Sequence, residues 1–285
     1  MTNLVKDLLF HGSSLTAKLE EALVESSVEL SITQVSQFTL TFSDPGYTIL
    51  NSGFFKLGGS VSFYDYNLTT SVIETTTGNG EGGFKVTFRP TAVYKLRRLT
   101  GKLHLKKVSP SQYVHHELRR ANVPVGYIQP SFTRKAVARD VKQPATQYDT
   151  WSYPSAWTTF ERLAPELGFT VYEMFGKVYF GWPTTIANTR PQVPIAWYAS
   201  GNNEPLNFPE CRRSLDSLDT DITLTVPTHR RGEMVPGNRL SLSGIPTFNG
   251  QYLITNVTYA LHDESPITVT ASTLRNPVAT GDPDK

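Results

Sequence analysis

The sequence predicts an α+β fold, mostly β, laid out as a β-module, an α/β insert and a second β-module. Three observations predict it. After Ser27, apolar residues alternate with polar ones at a period of two, the pattern of half-buried strands. Near Ser109 that pattern gives way to capped segments with helical spacing. From about Asp219 the period of two returns and runs almost to the C-terminus. Runs of strands with helices inserted between them argue for an α+β arrangement.

Residues 1–26 read as a short helical arm. Leu15, Leu19, Ala22 and Leu23 recur at helical spacing behind Ser13 and Ser14, which are placed to cap them. Val28, Leu30 and Ile32 then alternate with polar residues, as do Phe38, Leu40 and Phe42, and Asp44-Pro45-Gly46 supplies turn chemistry that closes this pair. Two more alternating stretches surround Val61 and Phe63, and Phe84, Val86 and Phe88. Ser109-Pro110-Ser111-Gln112 is a capping box with proline at the first helical position, and it opens a helix with Val114, Leu118 and Ala121 on one face. A Lys- and Pro-containing loop over 134–146 leads to a helix from Pro154 to Leu167. Its inward stripe is Trp157, Phe160, Leu163 and Leu167, with Pro165 distorting the last turn and Gly168 as the stop. Phe169 to Trp182 is a hairpin turning at Phe175-Gly176. Ile222, Leu224 and Val226 mark one later strand, and Leu240 and Leu242 another. Asn249-Gly250 is expected as the two-residue turn into QYLITNVTY, and Ile267 to Thr273 is the last strand before a Gly/Pro/Asp tail.

A chain of 285 residues has room for one large β-rich domain or about two or three ordinary ones. Hydrophobic residues at 39% and aromatics at 11% are enough to fill a core. Charged residues are only 18%, against roughly a quarter in an average soluble protein, while Thr, Ser and Tyr are plentiful. That deficit suits a chain that buries surface against partners, and equally an ordinary Ser- and Thr-rich β-protein. A net charge of +2 is too small to argue for nucleic acid or an anionic membrane. The single cysteine, Cys211, excludes an internal disulfide and any multi-cysteine metal site, so folding in a reducing compartment is expected. Lys6 and Asp7 interrupt the N-terminal stretch where a signal peptide needs an apolar run, and no stretch is long enough for a membrane-spanning helix.

Each short motif that could carry chemistry is incomplete. Gly78, Gly80 and Gly83 have dinucleotide-loop spacing, but FKVTF follows where the phosphate-holding helix is needed, so they read as a hairpin tip. His115, His116 and Glu117 resemble the start of a zinc-binding H-E-x-x-H, yet the second histidine position holds Arg120, and a solvated helix face is expected. Asp219 and Asp221 could touch one cation but name no third ligand. LSLSG around Ser243 lacks the first glycine of a nucleophile elbow. Glu161 and Glu166 sit on a helix where solvent-facing charge is the default. Arg97–Arg98, Lys106–Lys107, Arg119–Arg120 and Arg230–Arg231 are scattered doublets without the aromatic interleaving of a single-strand binder. Asn67 and Asn256 head glycosylation triplets, which a chain without a signal peptide does not use. No catalytic, cofactor-binding or metal-binding residue is assigned, no cofactor is expected, and no enzymatic activity is expected.

Three segments carry a resemblance. Ser27 to Phe63 has opening strands, an aspartate turn and a later Gly before a strand. Thr158 to Gly181 has a helix, Gly-Phe, a hairpin and Tyr-Phe-Gly. Met234 to Pro277 has Pro-Gly before one strand, Asn-Gly-x-Tyr before another and a closing strand. In this order they resemble the tail hub proteins of phages and of contractile injection systems such as type VI secretion spikes. The resemblance implies two tube-like antiparallel β-barrel modules with an α/β module between them. The expected domains are an arm at 1–26, the first barrel module at 27–105, the α/β module at 106–205, the second barrel module at 206–277 and a flexible tail at 278–285. It further implies a homotrimer at the tail tip or baseplate of a virion, assembled in the host cytoplasm, whose six barrels match a sixfold tube or distal tail protein above. A threefold spike or central fibre lies below, and tape measure protein and DNA pass through the channel without sequence-specific binding. With the sequence ending at Lys285, cell-wall cleavage and membrane piercing are expected of other proteins, and no membrane insertion is expected. One alternative is a carbohydrate- or receptor-binding tail-tip module using Trp151, Trp157, Trp182 and Trp197 as stacking platforms, although Trp157 lies on the apolar helix stripe and Trp182 ends a hairpin. A hydrolase with dispersed catalytic residues is a third class, and it lacks a motif.

Overall fold

A computed structural model describes residues 7–10, 12, 14–78, 81–100, 104–131, 135–138, 143–144, 151–152, 154–198, 201, 204–214, 219–261 and 265–280. In chain order the first half holds β1 (Leu8–Phe10), α1 (Ala17–Ala22), β2 (Leu23–Ser31), β3 (Gln37–Ser43), α2 (Thr48–Asn51), β4 (Ser60–Phe63), β5 (Tyr66–Gly78), β6 (Glu81–Pro90), α3 (Thr91–Arg98), β7 (His104–Val108) and α4 (Pro110–Ala121). The second half holds β8 (Val125–Ile128), β9 (Lys135–Ala138), β10 (Gln143–Pro144), β11 (Trp151–Ser152), α5 (Ala156–Glu166), β12 (Thr170–Met174), β13 (Lys177–Gly181), α6 (Pro183–Asn188), β14 (Gln192–Ala196), β15 (Glu210–Arg213), β16 (Thr220–Val226), β17 (Arg239–Ser243), β18 (Gly250–Tyr259) and β19 (Ile267–Thr273). Strands dominate, as the period-two alternation predicts. The chain divides into two compact units, Met1–Pro90 with Ala187–Leu274 (unit 1) and Thr91–Ile186 with Arg275–Lys285 (unit 2).

Unit 1 is built on one twelve-stranded sheet. Six strands, in the order β1-β4-β5-β6-β3-β2, come from before the helical insert, and the other six, β14 to β19, come from after it. Alternation explains the first half. Phe38, Leu40 and Phe42 of β3 pair with Phe88, Val86 and Phe84 of β6, and all six side chains point to one buried face. Phe42 and Phe84 stack with ring centroids 5.0 Å apart, and Phe55 meets both rings. In the second half Ile222, Leu224 and Val226 of β16 face Ala271, Val269 and Ile267 of β19. Among the described residues the strands make no closed circuit.

The two halves join where β18 meets β2 in antiparallel register, Val257 opposite Leu30 and Tyr259 opposite Val28. The apolar row Leu224–Val269–Val257–Leu30 crosses the seam unbroken, as does Tyr259–Val28–Phe38–Phe88. The opposite face carries a polar row, Thr225–Thr268–Thr258–Glu29–Gln37, in which Gln37 Nε2 donates to Glu29 Oε2 at 3.0 Å. Because side chains alternate with a period of two, a one-residue slip at the seam would turn both rows inside out. β18 serves three neighbours. Gly250 to Leu253 pair with β17, Asn256 to Tyr259 pair with β2, and β19 runs along the other side. The change of partner falls at Thr255, where the register against β19 shifts and the Thr255 carbonyl accepts the Ile32 N–H at 3.0 Å.

Three local expectations are corrected. Helix α1 starts behind Thr16 instead of Ser13 or Ser14, and β2 begins directly at Leu23, ahead of the Ser27 boundary. Asp44-Pro45-Gly46 does turn the chain directly after β3, and the Asp44 carboxylate accepts the N–H groups of Ile49 and Leu50 and the Thr48 hydroxyl. Asn249-Gly250 is not a two-residue turn. Asn249 is extended with φ −60°, Gly250 already belongs to β18, and the chain turns through Gly244 and a short 3₁₀ segment, Pro246–Phe248.

Unit 2 follows the sequence closely. Ser109 forms a full capping box with Gln112 at the start of α4. The Ser155 hydroxyl accepts the Thr158 N–H at the start of α5, Trp157, Phe160 and Leu163 face inward, and Gly168 ends it with φ 66°. β12 and β13 form the expected hairpin, with Phe175 and Gly176 at φ 52° and 76°, the positive values of a type I′ turn. β8 adds to β13 in parallel, a pairing between segments far apart in sequence. The C-terminal segment returns to α5, where the Thr280 N–H donates to the Pro165 carbonyl at 3.0 Å.

Candidate assembly surface

The residues singled out in the sequence stay scattered. Gly80 lies outside the described residues, and Gly78 pairs with Glu81, so the glycine-rich stretch is the end of the β5–β6 hairpin. Its Gly83 is packed, since a Cβ there would stand 2.7 Å from the Phe42 carbonyl. The solvated-face reading of His115–Glu117 is corrected for one residue: Glu117 is fully buried and is held by Arg120 at 3.1 Å and His116 at 2.9 Å. Burial and the nearby Arg119 lower the His115 imidazole below its ordinary value. Asp221 is exposed beside Arg212 in the β15–β16 register. Among the described residues no group of three His, Cys, Asp or Glu side chains is placed to hold a metal ion. Glu161 accepts the Trp157 indole N–H, and Glu166 pairs with Arg162 at 2.7 Å. Trp157 is buried, Trp182 of unit 2 is 41% exposed, Trp197 of unit 1 is half-buried against Phe208, and the side chain of Trp151 lies outside the described residues.

What unit 1 does assemble is the seam and its fastening. Arg231 lies over three rings, Tyr64 at 4.8 Å, Phe63 at 5.9 Å and Tyr259 at 5.9 Å. Phe63 ends β4 and Tyr64 follows it in the first half, whereas Tyr259 ends β18 in the second, so one guanidinium bolts the halves together beside the β2–β18 pairing. The Tyr64 hydroxyl donates to Asp7. Burial pushes both phenols up, with Asp7 adding to the effect at Tyr64, so both hydroxyls keep their protons at neutral pH. Arg230 next to it donates to Glu233 at 2.6 Å, to Glu204 at 3.0 Å and to the Pro194 carbonyl at 3.2 Å, fixing the 3₁₀ turn that carries Arg231. The sequence showed Arg230–Arg231 only as a basic doublet; no local signal could reveal that Arg231 reaches Phe63 and Tyr64, over 150 residues away.

The rest of the surface sets how unit 1 can meet partners. The free edges among the described strands are poor templates for further pairing: β1 has three residues, β14 contains Pro194, and β15 carries Glu210, Arg212 and Arg213. The side-chain faces offer more to a partner than these edges do. One is the polar face, which continues across both halves. Others are exposed apolar residues at the ends of the sheet, Leu9 and Tyr64 near β1 and β4, and Leu206 and Phe208 before β15.

No protein-family model matches the chain, and no curated protein matches it. Solved structures do. A 43 kDa tail protein of prophage MuSo2 from Shewanella oneidensis aligns over 94% of this chain and 97% of its own, with a TM-score of 0.63 and 10% identity. A tail protein from Neisseria meningitidis aligns over 93% of this chain and 95% of its own, with a TM-score of 0.61 and 9% identity. An E. coli component of the type VI secretion system, described as structurally similar to the T4 bacteriophage tail proteins gp27 and gp5, aligns over 92% of this chain and 77% of its own, with a TM-score of 0.60 and 12% identity. These three structural neighbours are thus two tail proteins and a type VI secretion component likened to phage tail proteins, and the resemblance read from the sequence holds at the level of the fold.

Proposed function

We propose that this chain is a non-enzymatic structural protein of a phage tail, a hub at the tail tip or baseplate. The observation that carries the reading is the bipartite sheet: six strands before the insert and six after it, joined edge to edge at β2 and β18. Taken as equivalent, the two halves of each subunit would give a trimer six units around its axis, matching a sixfold tube while keeping threefold symmetry for a spike or central fibre. In this reading each half is a tube-like barrel module, and the residues between them form an α/β module. The partners are two further copies of the chain, a tail tube or distal tail protein above and a spike or fibre protein below, with tape measure protein and DNA passing through. The near-full-length alignments with tail proteins and the uninterrupted polar face across the seam support it.

Electron microscopy of intact particles with this chain labelled tests the reading. Three copies at the tail tip are expected. Six copies in a plain hexameric ring would make it a tube subunit, and absence from the particle would remove it from the tail altogether.

A further inference from the structure

Three carboxylates are buried among the described residues, and two of them are well provided for. At Asp44 burial acts to raise the carboxyl, but the N–H groups of Leu50 and Ile49 and the Thr48 hydroxyl outweigh it and hold the group below its usual value. Glu117 has Arg120 and His116. Glu173, on β12, is different. It is 4% exposed, Oε1 accepts the Gly176 N–H, and among the described residues Oε2 has no hydrogen-bond partner. Val171, Val178 and Phe180 share its face of the sheet. From α5, which packs on β12, the inward residues are Trp157, Phe160, Leu163 and Ala164, while Glu161, Arg162 and Glu166 lie on its outer side. Lys177 of β13 is exposed opposite Met174 and Tyr172 stacks on Tyr179, all on the other face of the sheet. Glu117 of α4 is engaged with its own partners. No charged side chain faces Glu173 from these elements.

We propose that Glu173 is a proton-operated latch on the β12–β13 hairpin: as the neutral acid it stays inside and braces the Phe175-Gly176 turn, and as the carboxylate it swings out and the turn loosens. The proton leaves Glu173 for solvent, and no other group is required. The reason is desolvation. A buried carboxylate with one donor and no countercharge is costly, whereas the neutral acid is tolerated. Burial raises the carboxyl, the Gly176 N–H offsets part of that, and the result is about 7. The folded value thus lies above that of the unfolded chain, so the stabilisation is complete below the ordinary carboxylate range. It is lost as pH rises through about 7, and is gone above it. The latch rests on unit 2 alone and does not depend on the proposed hub role.

Hydrogen exchange on the intact chain, corrected for intrinsic rates, at pH 5.5 and pH 8.5 tests the latch. Protection of the Met174–Val178 amides should fall at least tenfold at the higher pH, while α5 and the strands of unit 1 keep theirs. Glu173→Gln retains the acceptor for Gly176 and should abolish the pH dependence. Equal protection at both pH values, the same dependence in Glu173→Gln, or a uniform loss across the chain would overturn the proposal. Should Glu173→Gln fail to fold, the wild-type carboxyl resonance followed by NMR decides: titration in the ordinary range of 4 to 5 overturns the latch, and titration near 7 supports it.

Discussion

The hairpins β12–β13 and β17–β18 both reverse the chain between short antiparallel strands, yet they turn by different means. In unit 2 the reversal is local. Phe175 and Gly176 supply two positive φ values, nothing lies within 4 Å of a Cβ placed on Gly176, and Glu173 braces the turn from within its own strand. In unit 1 the reversal is imposed from outside. Gly244 has φ 89°, and a Cβ there would stand 1.6 Å from the carbonyl of Trp197, the residue directly after β14 and nearly fifty residues earlier. The loop is then spanned by the 3₁₀ segment and by Asn249, whose side chain accepts the Ile245 N–H at 2.9 Å. One turn is a matter of backbone conformation; the other is a matter of packing against β14 and its extension. Tertiary closeness, more than dihedral preference, sets how much a glycine matters.

Substitutions sharpen or break this contrast. Gly244→Ala should do the most damage, since backbone must move at Trp197 and φ is already unfavourable; a loss of about 3 to 5 kcal/mol is expected. Chemical denaturation would read it, and a loss under 1 kcal/mol would show that the close approach relaxes freely. Gly176→Ala meets open space and suffers only from its positive φ, so about 1 kcal/mol is expected. A loss as large as that of Gly244→Ala would erase the distinction between the two hairpins. Gly250→Val should be nearly silent, within about 0.5 kcal/mol, because Gly250 is a strand residue whose Cβ would meet the Tyr252 ring at an ordinary 3.7 Å. A marked loss there would mean that the chain turns at Asn249-Gly250 after all.

The same contrast explains what could be read in advance. The Phe175-Gly176 turn was legible because its cause lies in two adjacent residues. Asn249-Gly250 misled because an Asn-Gly pair says where a turn is easy, not where packing puts it. Strands with one apolar face, such as Phe38-Leu40-Phe42, announce themselves. β5 does not: LTTSVIETTT is polar or β-branched at nearly every position, and its partner strand organises it. The parallel pairings β8–β13 and β14–β17 join distant segments and leave no local trace. At the candidate surface the polar half of the alternation was visible, but the clamp of Arg231 on Tyr64 and Tyr259 was not. Glu117 looked like solvent-facing charge because His115, His116, Arg119 and Arg120 surround it in sequence, yet its side chain is fully buried.

The pairing of β2 with β18 also has a consequence in time. A ribosome delivers β2 early and β18 near the end, with the Thr91–Ile186 part of unit 2 made in between. At typical elongation rates the first half-sheet waits on the order of 10 seconds or more with the flank of β2 unmated. A nascent chain in that state exposes Val28 and Leu30 beside an open strand edge, which is the kind of surface that mispairs. Slow steps in producing this protein should therefore cluster before Tyr259 emerges, and truncations that stop short of β18 should aggregate even though they contain every residue of the first half.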